Sequence, residues 1–357
     1  ELISAEPSKR PERTDWEFVF KDIAPNKLYD GDKRIRVLIN GDNIKTHEKF
    51  IFVPEEWERN ERDQRAILDV ASSSMSLLMI ILALASVVLG IIYWTKNRIT
   101  SELVLYIFAP LFIITIVSFI NQLPSYIANF SSAQPYNNQL GVLIASTVVG
   151  GIFVSMIPAI LVASTHFLIS ETKKMKESPG LVEGISIGIA LAGIFTMVNS
   201  FQPNLSPEWP SLSYGASRLP FFGVLSNMGN FLTSIGFMTF VVLFISQKTK
   251  SWTVNKSSFS MLFIILGLMI IGGNNISGIG GWILSGIIVG ILFRWIYIST
   301  LRYNPEVTIF IISSLTIINL ISEITTPSFP GAGLGSSLTI ISIIALNYCW
   351  VRFSSKL

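Results

Sequence analysis

The chain has 357 residues, of which 50% are hydrophobic and 14% charged, and it is too apolar for a soluble domain of this size. It has two histidines and no aspartate after residue 69, which disfavours a His-rich zinc site and an intramembrane aspartyl protease, since such a protease needs two membrane aspartates. The single cysteine, Cys349, permits no internal disulfide, and a formal net charge of +3 does not indicate nucleic-acid binding. We therefore expect no metal, no cofactor and no nucleic-acid partner.

Residues 1–54 are predicted to form a β-rich extracytoplasmic segment, because three stretches alternate apolar and polar residues. The Asn40-Gly41 pair between the second and third stretches favours a tight hairpin turn. The stretches are Trp16–Phe20, Arg34–Ile39 and Lys49–Val53. Three strands are too few for an independent core, so either upstream residues or a partner would complete the sheet. Because the chain starts at Glu1 rather than Met, we also expect a signal or other segment upstream.

Residues 55–69 are predicted to form a charged stalk helix. Three glutamates each precede an arginine by four residues, an orientation that stabilises a helix by roughly 0.2–0.5 kcal/mol per pair. The pairs are Glu55–Arg59, Glu58–Arg62 and Glu61–Arg65. No proline or glycine lies between Pro54 and Gly90, so the helix is expected to continue into the first membrane span.

Residues 70–352 are predicted to form a polytopic α-helical membrane domain, because a span needs about 20 mostly apolar residues. Nine candidate spans fit: 70–94, 101–123, 139–169, 181–201, 219–246, 258–273, 279–301, 306–324 and 333–352. The sixth is short, and the third is long and contains Pro158. Residues 353–357 form the remaining tail. Glycine pairs such as Gly150-Gly151, Gly184/Gly188, Gly272-Gly273 and Gly286/Gly290 predict close helix contacts.

The loop charges predict the orientation of the chain. One alternate set of loops, with the tail, holds 11 Lys/Arg residues, and the other set holds only Arg218. Since positive loops stay in the cytoplasm, this places the C-terminus in the cytoplasm and residues 1–69 outside. We expect a bacterial cytoplasmic (inner) membrane protein that contacts the lipid bilayer.

Charged residues within spans are costly and therefore count as functional candidates. Three stand out. Arg294 lies in the seventh span, within reach of its cytoplasmic end, and is expected to snorkel or to form a structural pair. Glu323 lies at the outer end of the eighth span, where we place it at the interface. Glu183 begins the fourth span, where a helix N-terminus favours an anion.

Gly184–Gly188 matches the spacing G-x-S-x-G, with Ser186 at its centre and His166 on the same cytoplasmic side. A Ser186–His166 dyad would support nucleophilic catalysis. The motif requires a strand-to-helix turn, however, and here it lies inside a predicted helix, where glycine-rich sequence produces the match easily. A position within an ordinary membrane helix for Ser186 and an interfacial one for His166 is the simpler interpretation.

Several segments resemble the extracytoplasmic and early membrane region of large bacterial CPBP-family (CAAX-protease-like) membrane proteins. They are Arg10–Trp16, Arg34–Val37, Gly41-Asp42, Val53–Arg59 and Ala133–Pro135. The resemblance implies a signature E-E-x-x-x-R within a span, followed by F-x-x-x-H and H-x-x-x-N/D on later spans. This sequence departs from it: Asn60 stands at the arginine position after Glu55-Glu56, and Val162 and Ser170 flank His166. The resemblance therefore implies a relative without the family's active site, or one whose catalytic part lies elsewhere.

Three functions remain open. The first is a non-catalytic scaffold or accessory subunit of a membrane complex, whose partners are other membrane proteins. The second is an intramembrane protease of CPBP-like or Ser–His type. The third is a small-molecule or lipid transporter, in which Asn199, Asn227, Asn230 and Asn319 line a cavity, although interhelical hydrogen bonds would also explain them.

Overall fold

The computed structural model describes residues 1–23, 31–172, 180–200, 217–225, 227–271 and 279–354. The chain divides into two compact units, Glu1–Ala71 and Ser72–Leu357, which are described separately. The first holds a β-sheet and the start of a long helix, and the second is helical. The prediction of a mainly α-helical chain with a small β-rich N-terminal segment is confirmed.

The sheet has four antiparallel strands in the order β1-β2-β3-β4. They are β1 Leu2–Lys9, β2 Thr14–Lys21, β3 Asp32–Asn40 and β4 Asn43–Phe52. Strands β2 to β4 match the three predicted stretches, and Gly41 takes a φ of 63° in the turn between β3 and β4, as the Asn-Gly pair requires. Strand β1 was not predicted, because Pro7 and the lack of alternation conceal it. It is an edge strand, where a proline is tolerated.

One face of the sheet carries the charged residues. The Arg36 guanidinium lies 2.8 Å from carboxylate oxygens of both Glu17 and Glu48. On the same face, Asp32 pairs with the Lys21 ammonium at 2.6 Å and with the Arg34 guanidinium at 3.2 Å. Hydrogen bonds from Lys21 and then from Arg34 hold the pKa of Asp32 below its ordinary value.

On the opposite face, β2 and β3 present a group of apolar side chains, which we call the aromatic face. The rings of Trp16, Phe18 and Phe20 stack along β2, with centroids 5.7 and 6.4 Å apart. The β3 residues directly across from them are Ile39, Val37 and Ile35. Trp16 and Phe20 keep 37% and 38% of their surface exposed, although a sheet of this size gains stability mainly by covering such a face.

The stalk and the first membrane span form one continuous helix, α1, from Glu55 to Thr95, as predicted. Glu55 and Arg59 form the expected ion pair at 3.0 Å. Arg62 instead donates to the backbone carbonyl of Glu58 at 3.3 Å. The side chains of Glu61 and Arg65 lie outside the described residues.

The remaining helices follow in order. They are α2 Ser101–Ala128, α3 Tyr136–Thr172, α4 Leu181–Ser200, α5 Phe222–Leu225, α6 Asn227–Lys248, α7 Lys256–Ile271, α8 Ile279–Ile296, α9 Val307–Thr325 and α10 Ala332–Ser354. Helix α8 ends in a π-helical turn, Tyr297–Leu301. Helix α3 is continuous through Pro158.

Eight helical segments in the described part of the chain are long and apolar enough to cross a membrane, which indicates a membrane-embedded protein. Each coincides with one of the nine predicted spans. The predicted span 258–273 corresponds to α7, which has 16 described residues and is shorter than the other eight. Lys173, Lys174, Lys176, Lys356 and the Gly272-Gly273 pair lie outside the described residues.

Glycines set the closest helix contacts, as two of the predicted pairs anticipated. Gly184 and Gly188 bring α4 against Phe310 and Ser314 of α9. Gly286 and Gly290 of α8 meet α7. A Cβ added at Gly267 of α7 would fall on the carbonyl oxygen of Gly286. Backbones this close leave no room for a side chain, so these glycines are required by the packing.

We predict that Gly267→Ala destabilises the protein by about 1–3 kcal/mol, because the added methyl group forces the backbones of α7 and α8 apart. The matched control is Gly150→Ala, since a Cβ at Gly150 meets nothing within 4 Å. Alanine is also the better helix former by about 0.5–1 kcal/mol, so the control should be neutral or stabilising. The midpoint of thermal unfolding in mild detergent, followed by tryptophan fluorescence, measures both. Equal midpoints for the two variants would contradict the assigned contact.

Candidate functional site

A cavity of about 410 Å³ lies between α6, α9 and the start of α10. Eight of its 13 lining residues are polar. We call it the polar chamber, and its polar residues are Asn227, Asn230, Ser234, Thr316, Asn319, Glu323, Ser328 and Thr339. Phe231, Leu320 and Phe329 provide its main apolar walls.

Regular spacing on two helices produces the chamber. Helix α6 contributes Asn227, Asn230 and Ser234, at positions i, i+3 and i+7, and α9 contributes Thr316, Asn319 and Glu323 at the same spacing. Residues at these intervals lie on one face of an α-helix. Both helices therefore direct a polar stripe toward the same space.

The three asparagines supply amide groups that are free to bind. None of the amides of Asn227, Asn230 and Asn319 has a hydrogen-bond partner among the described residues, and all three residues are exposed to the chamber or its mouth. An unpaired amide in an apolar environment is costly, so these groups require water or a polar ligand. The transporter interpretation predicted that Asn227, Asn230 and Asn319 share a cavity, and they do. The side chain of Asn199 lies outside the described residues.

Glu323 is the one carboxyl group in the lining. Its Oε1 accepts hydrogen bonds from the Ser328 hydroxyl at 2.6 Å and the Ser328 backbone N–H at 3.0 Å. These bonds tie the end of α9 to the loop before α10 and fix the direction of the carboxylate. Among the described residues, no lysine or arginine lies within 4 Å of it. Glu323 was predicted to lie at the interface. In the structure it is half-buried and lines the chamber.

The hydroxyl groups of the chamber donate to their own helices. Ser234 donates to the Asn230 carbonyl at 2.9 Å, Thr316 to Ile312 at 2.9 Å and Thr339 to Gly335 at 2.8 Å. Because a hydroxyl has one proton and two lone pairs, each of these oxygens remains an acceptor. These hydroxyl oxygens therefore add acceptors to the chamber, while the three asparagine amides supply both donors and acceptors.

A second cavity of about 240 Å³ adjoins the same helix, between α2, α3 and α6. Its polar lining includes Thr115, Ser118, Gln122, Tyr126, Thr147 and Ser155, and it shares Asn230 with the polar chamber. The hydroxyl of Ser118 is buried and has no hydrogen-bond partner in the described part of the chain. Asn230 thus stands between two polar spaces.

Asn121 of α2 positions the segment that precedes α6. Its Nδ2 donates to the Leu219 carbonyl at 2.9 Å, and its Oδ1 accepts from the Leu219 N–H at 2.6 Å. The side chain is 5% exposed, so this two-bond clamp is shielded from solvent. Sequence analysis did not single out Asn121, because its partner lies 98 residues away.

We predict that Asn121→Ala loosens the segment around Leu219 and costs about 1–3 kcal/mol, because buried polar groups lose their partners. Hydrogen exchange at residues 218–222 should accelerate, and the midpoint of thermal unfolding should fall. Asn129→Ala is the control, since Asn129 is exposed and donates only to a carbonyl of its own helix. Unchanged exchange at 218–222 in Asn121→Ala would show that the clamp does not hold this segment.

The other charged candidates lie away from the chamber. Arg294 of α8 donates from Nε to the Ser260 hydroxyl of α7 at 2.9 Å, and its guanidinium lies 5.8 Å from the Trp252 ring centre. This hydrogen bond links α8 to α7, and the expected roles of Arg294, snorkelling or a structural pair, stay predictions. Glu183 lies in the first turn of α4, where the helix dipole favours an anion.

Ser186 and His166 lie in different surroundings. Ser186 is exposed, about 200° around α4 from Gly184, which faces α9. The His166 ring packs edge-on against Trp350 of α10, with centroids 6.1 Å apart. The Ser186–His166 dyad stays a prediction.

Comparison with known proteins adds no relative. No protein-family model, no curated protein and no solved structure matches the chain. The resemblance to the CPBP family therefore depends on the sequence segments between Arg10 and Pro135 alone and stays a prediction.

Sequence reasoning named half of the chamber and missed the rest. It singled out Asn227, Asn230, Asn319 and Glu323, but not Ser234, Thr316, Ser328 or Thr339. For Ser234 and Thr316 the missed signal was the i, i+3, i+7 spacing shared by α6 and α9, whereas Ser328 and Thr339 lie outside those two helices. A serine or threonine is common in apolar helices, and only this shared spacing distinguishes a lining residue from an ordinary one.

Proposed function

We propose that this protein is a nine-span protein of the bacterial cytoplasmic membrane that binds a small polar solute in the polar chamber for transport. The observation that carries the proposal is the convergence of eight polar side chains on one space of about 410 Å³. Ligand pockets of helical proteins lie between helices and place a small number of polar groups in a largely apolar lining. The function requires no catalytic residue.

The chamber faces the extracytoplasmic side in this proposal. Its lining comes from the start of α6, the end of α9 and the start of α10, which share one end of the bundle. The loops at that end carry Arg218 as their only basic residue, whereas the other set holds eleven with the tail. By the excess of positive charge on the cytoplasmic side, the chamber opens outward and the C-terminus lies inside.

We expect a cysteine placed in the chamber to react with a membrane-impermeant reagent added outside intact cells. Cys349 is first replaced by serine, because it is exposed and is the only cysteine. Ser234→Cys should then react with the trimethylammonioethyl methanethiosulfonate reagent at a rate comparable to that of Ser131→Cys, in the exposed turn between α2 and α3. Water access to the chamber is the physical reason.

The control is Ser285→Cys, because Ser285 of α8 is 6% exposed and does not line the chamber. It should not react in the same time. An unreactive Ser234→Cys beside a reactive Ser131→Cys would exclude an open chamber. Reaction of Ser234→Cys only after the cells are opened would reverse the proposed sidedness.

A second function, as an accessory subunit of a membrane complex, is favoured by the aromatic face of the sheet. Its six apolar residues lie on β2 and β3, with Lys49 and His47 of β4 beside them, while the other face carries the ion pairs. Exposed contiguous apolar surface of this kind marks protein interaction sites. We propose that an apolar surface of another membrane-complex subunit covers it.

We expect a photo-crosslinking residue at Phe18 to join the chain to a second polypeptide of defined mass. The same residue at Glu17, on the charged face, should give no such product, because the two side chains point to opposite sides of the sheet. Denaturing electrophoresis and mass spectrometry of cells irradiated in culture identify the products. Crosslinks from Phe18 confined to the chain itself or to lipid would contradict the accessory role.

A further inference from the structure

We propose that the polar chamber selects cations, and that its ligand is a small organic ammonium compound with hydroxyl or carbonyl groups. This inference rests on the proposed function and names the class of solute. It comes from the charge of the chamber, the direction of its hydrogen-bonding groups and its size.

The charge of the chamber is negative. Glu323 is the one ionisable side chain in the lining, and the described residues place no lysine or arginine within 4 Å of it. A carboxylate without a counter-ion in an apolar bundle is costly, and such residues mark ion or substrate pathways. A cationic ligand supplies the missing charge.

The hydrogen-bonding groups match an ammonium donor. Ser328 holds only Oε1 of Glu323, so Oε2 remains to accept from a ligand. The hydroxyl protons of Ser234, Thr316 and Thr339 point back to their own helices, which leaves their oxygens as acceptors. An ammonium group carries only donors, which these oxygens accept, and the amide N–H groups of the three asparagines can donate to hydroxyl or carbonyl groups of the same ligand.

The size and walls of the chamber favour an organic cation over a metal ion. Metal ions need several oxygens at about 2.0–2.6 Å, whereas a space of about 410 Å³ accommodates a small molecule. In the described part of the chain, no three His, Cys, Asp or Glu side chains come together as a metal site. Phe231 and Phe329 provide apolar walls for the carbon part of the ligand.

The charge selectivity of the chamber tests the proposal directly. In the Ser234→Cys protein, we compare the rates of the cationic trimethylammonioethyl and the anionic sulfonatoethyl methanethiosulfonate reagents. Each rate is divided by the rate of the same reagent at Ser131→Cys, which removes intrinsic reactivity. We expect the cation-to-anion ratio to be about tenfold or more with Glu323 present, and about one in Glu323→Gln, since an interaction with a charged group changes affinities by this order.

Two further variants separate charge from structure. Glu323→Asp keeps the carboxylate and should keep a ratio well above one. Glu102→Gln removes a carboxyl group at the first turn of α2, outside the chamber, and should leave the ratio unchanged. Loss of selectivity in Glu323→Asp as well as Glu323→Gln would mean that Glu323 acts through the fold, and would overturn the proposal.

A matched pair of solutes tests binding. The probes are 2-amino-1,3-propanediol and glycerol, which differ by one amino group in place of one hydroxyl. The amine should slow modification of Ser234→Cys by the neutral hydroxyethyl methanethiosulfonate reagent, and this protection should disappear in Glu323→Gln. Glycerol should protect neither protein. Equal protection by both solutes, or protection that persists in Glu323→Gln, would overturn the cation proposal.

The outcomes distinguish failure of the cation-selectivity inference from failure of the proposed transport function. If Ser234→Cys reacts with both charged reagents at the same normalised rate, the chamber is open but not cation-selective, so the further inference fails and the proposed function stands. If no reagent reaches Ser234→Cys while Ser131→Cys reacts, both fail. A cation-to-anion ratio that depends on the carboxylate supports both.

Discussion

A polar group surrounded by hydrocarbon must have a hydrogen-bond partner, and this constraint organises the helical unit. Many of its serines and threonines meet the constraint locally, by donating to the carbonyl one turn earlier, as Ser313 does to Ile309 and Ser86 to Leu82. Asparagine and glutamate side chains are less able to do so. Helices α6 and α9 each present such side chains on one face, and these side chains surround a shared space. If they were scattered over the lipid-facing surface, each would lack a hydrogen-bond partner.

The two units meet the same constraint in different ways. In the sheet, arginines and carboxylates pair across neighbouring strands on one face, and the aromatic residues form the other. Such exposed ion pairs each contribute little to stability. Most of the free energy that the sheet can gain by burying surface therefore comes from the aromatic face. In the helical unit, apolar side chains lie on all sides of the helices, so they do not determine which helices pack together. There the specific contacts come from glycines that let backbones touch and from a few buried clamps such as Asn121.

The elements of this fold follow closely from local pattern. Alternation predicted β2, β3 and β4, and apolar runs predicted the long helices to within a few residues, because both signals reside in consecutive side chains. Strand β1 was not predicted, because Pro7 breaks the alternation of apolar and polar residues. A proline is tolerated there because β1 is an edge strand. The candidate site was predicted only in part. Asn319 and Glu323 were visible as polar residues in an apolar run, but which helices face each other across the chamber is decided by contacts between distant segments, such as that of Asn121 with Leu219.

The glycine contact between α7 and α8 has a mechanical consequence. The 16 described residues of α7 extend about 24 Å, whereas the hydrocarbon core of a bilayer is about 30 Å thick. Gly267 lies against Gly286 and Gly290, so α7 cannot tilt or slide independently of its longer neighbour. A bilayer of different thickness would therefore act on the two helices as a pair, because a tilt of one carries the other with it.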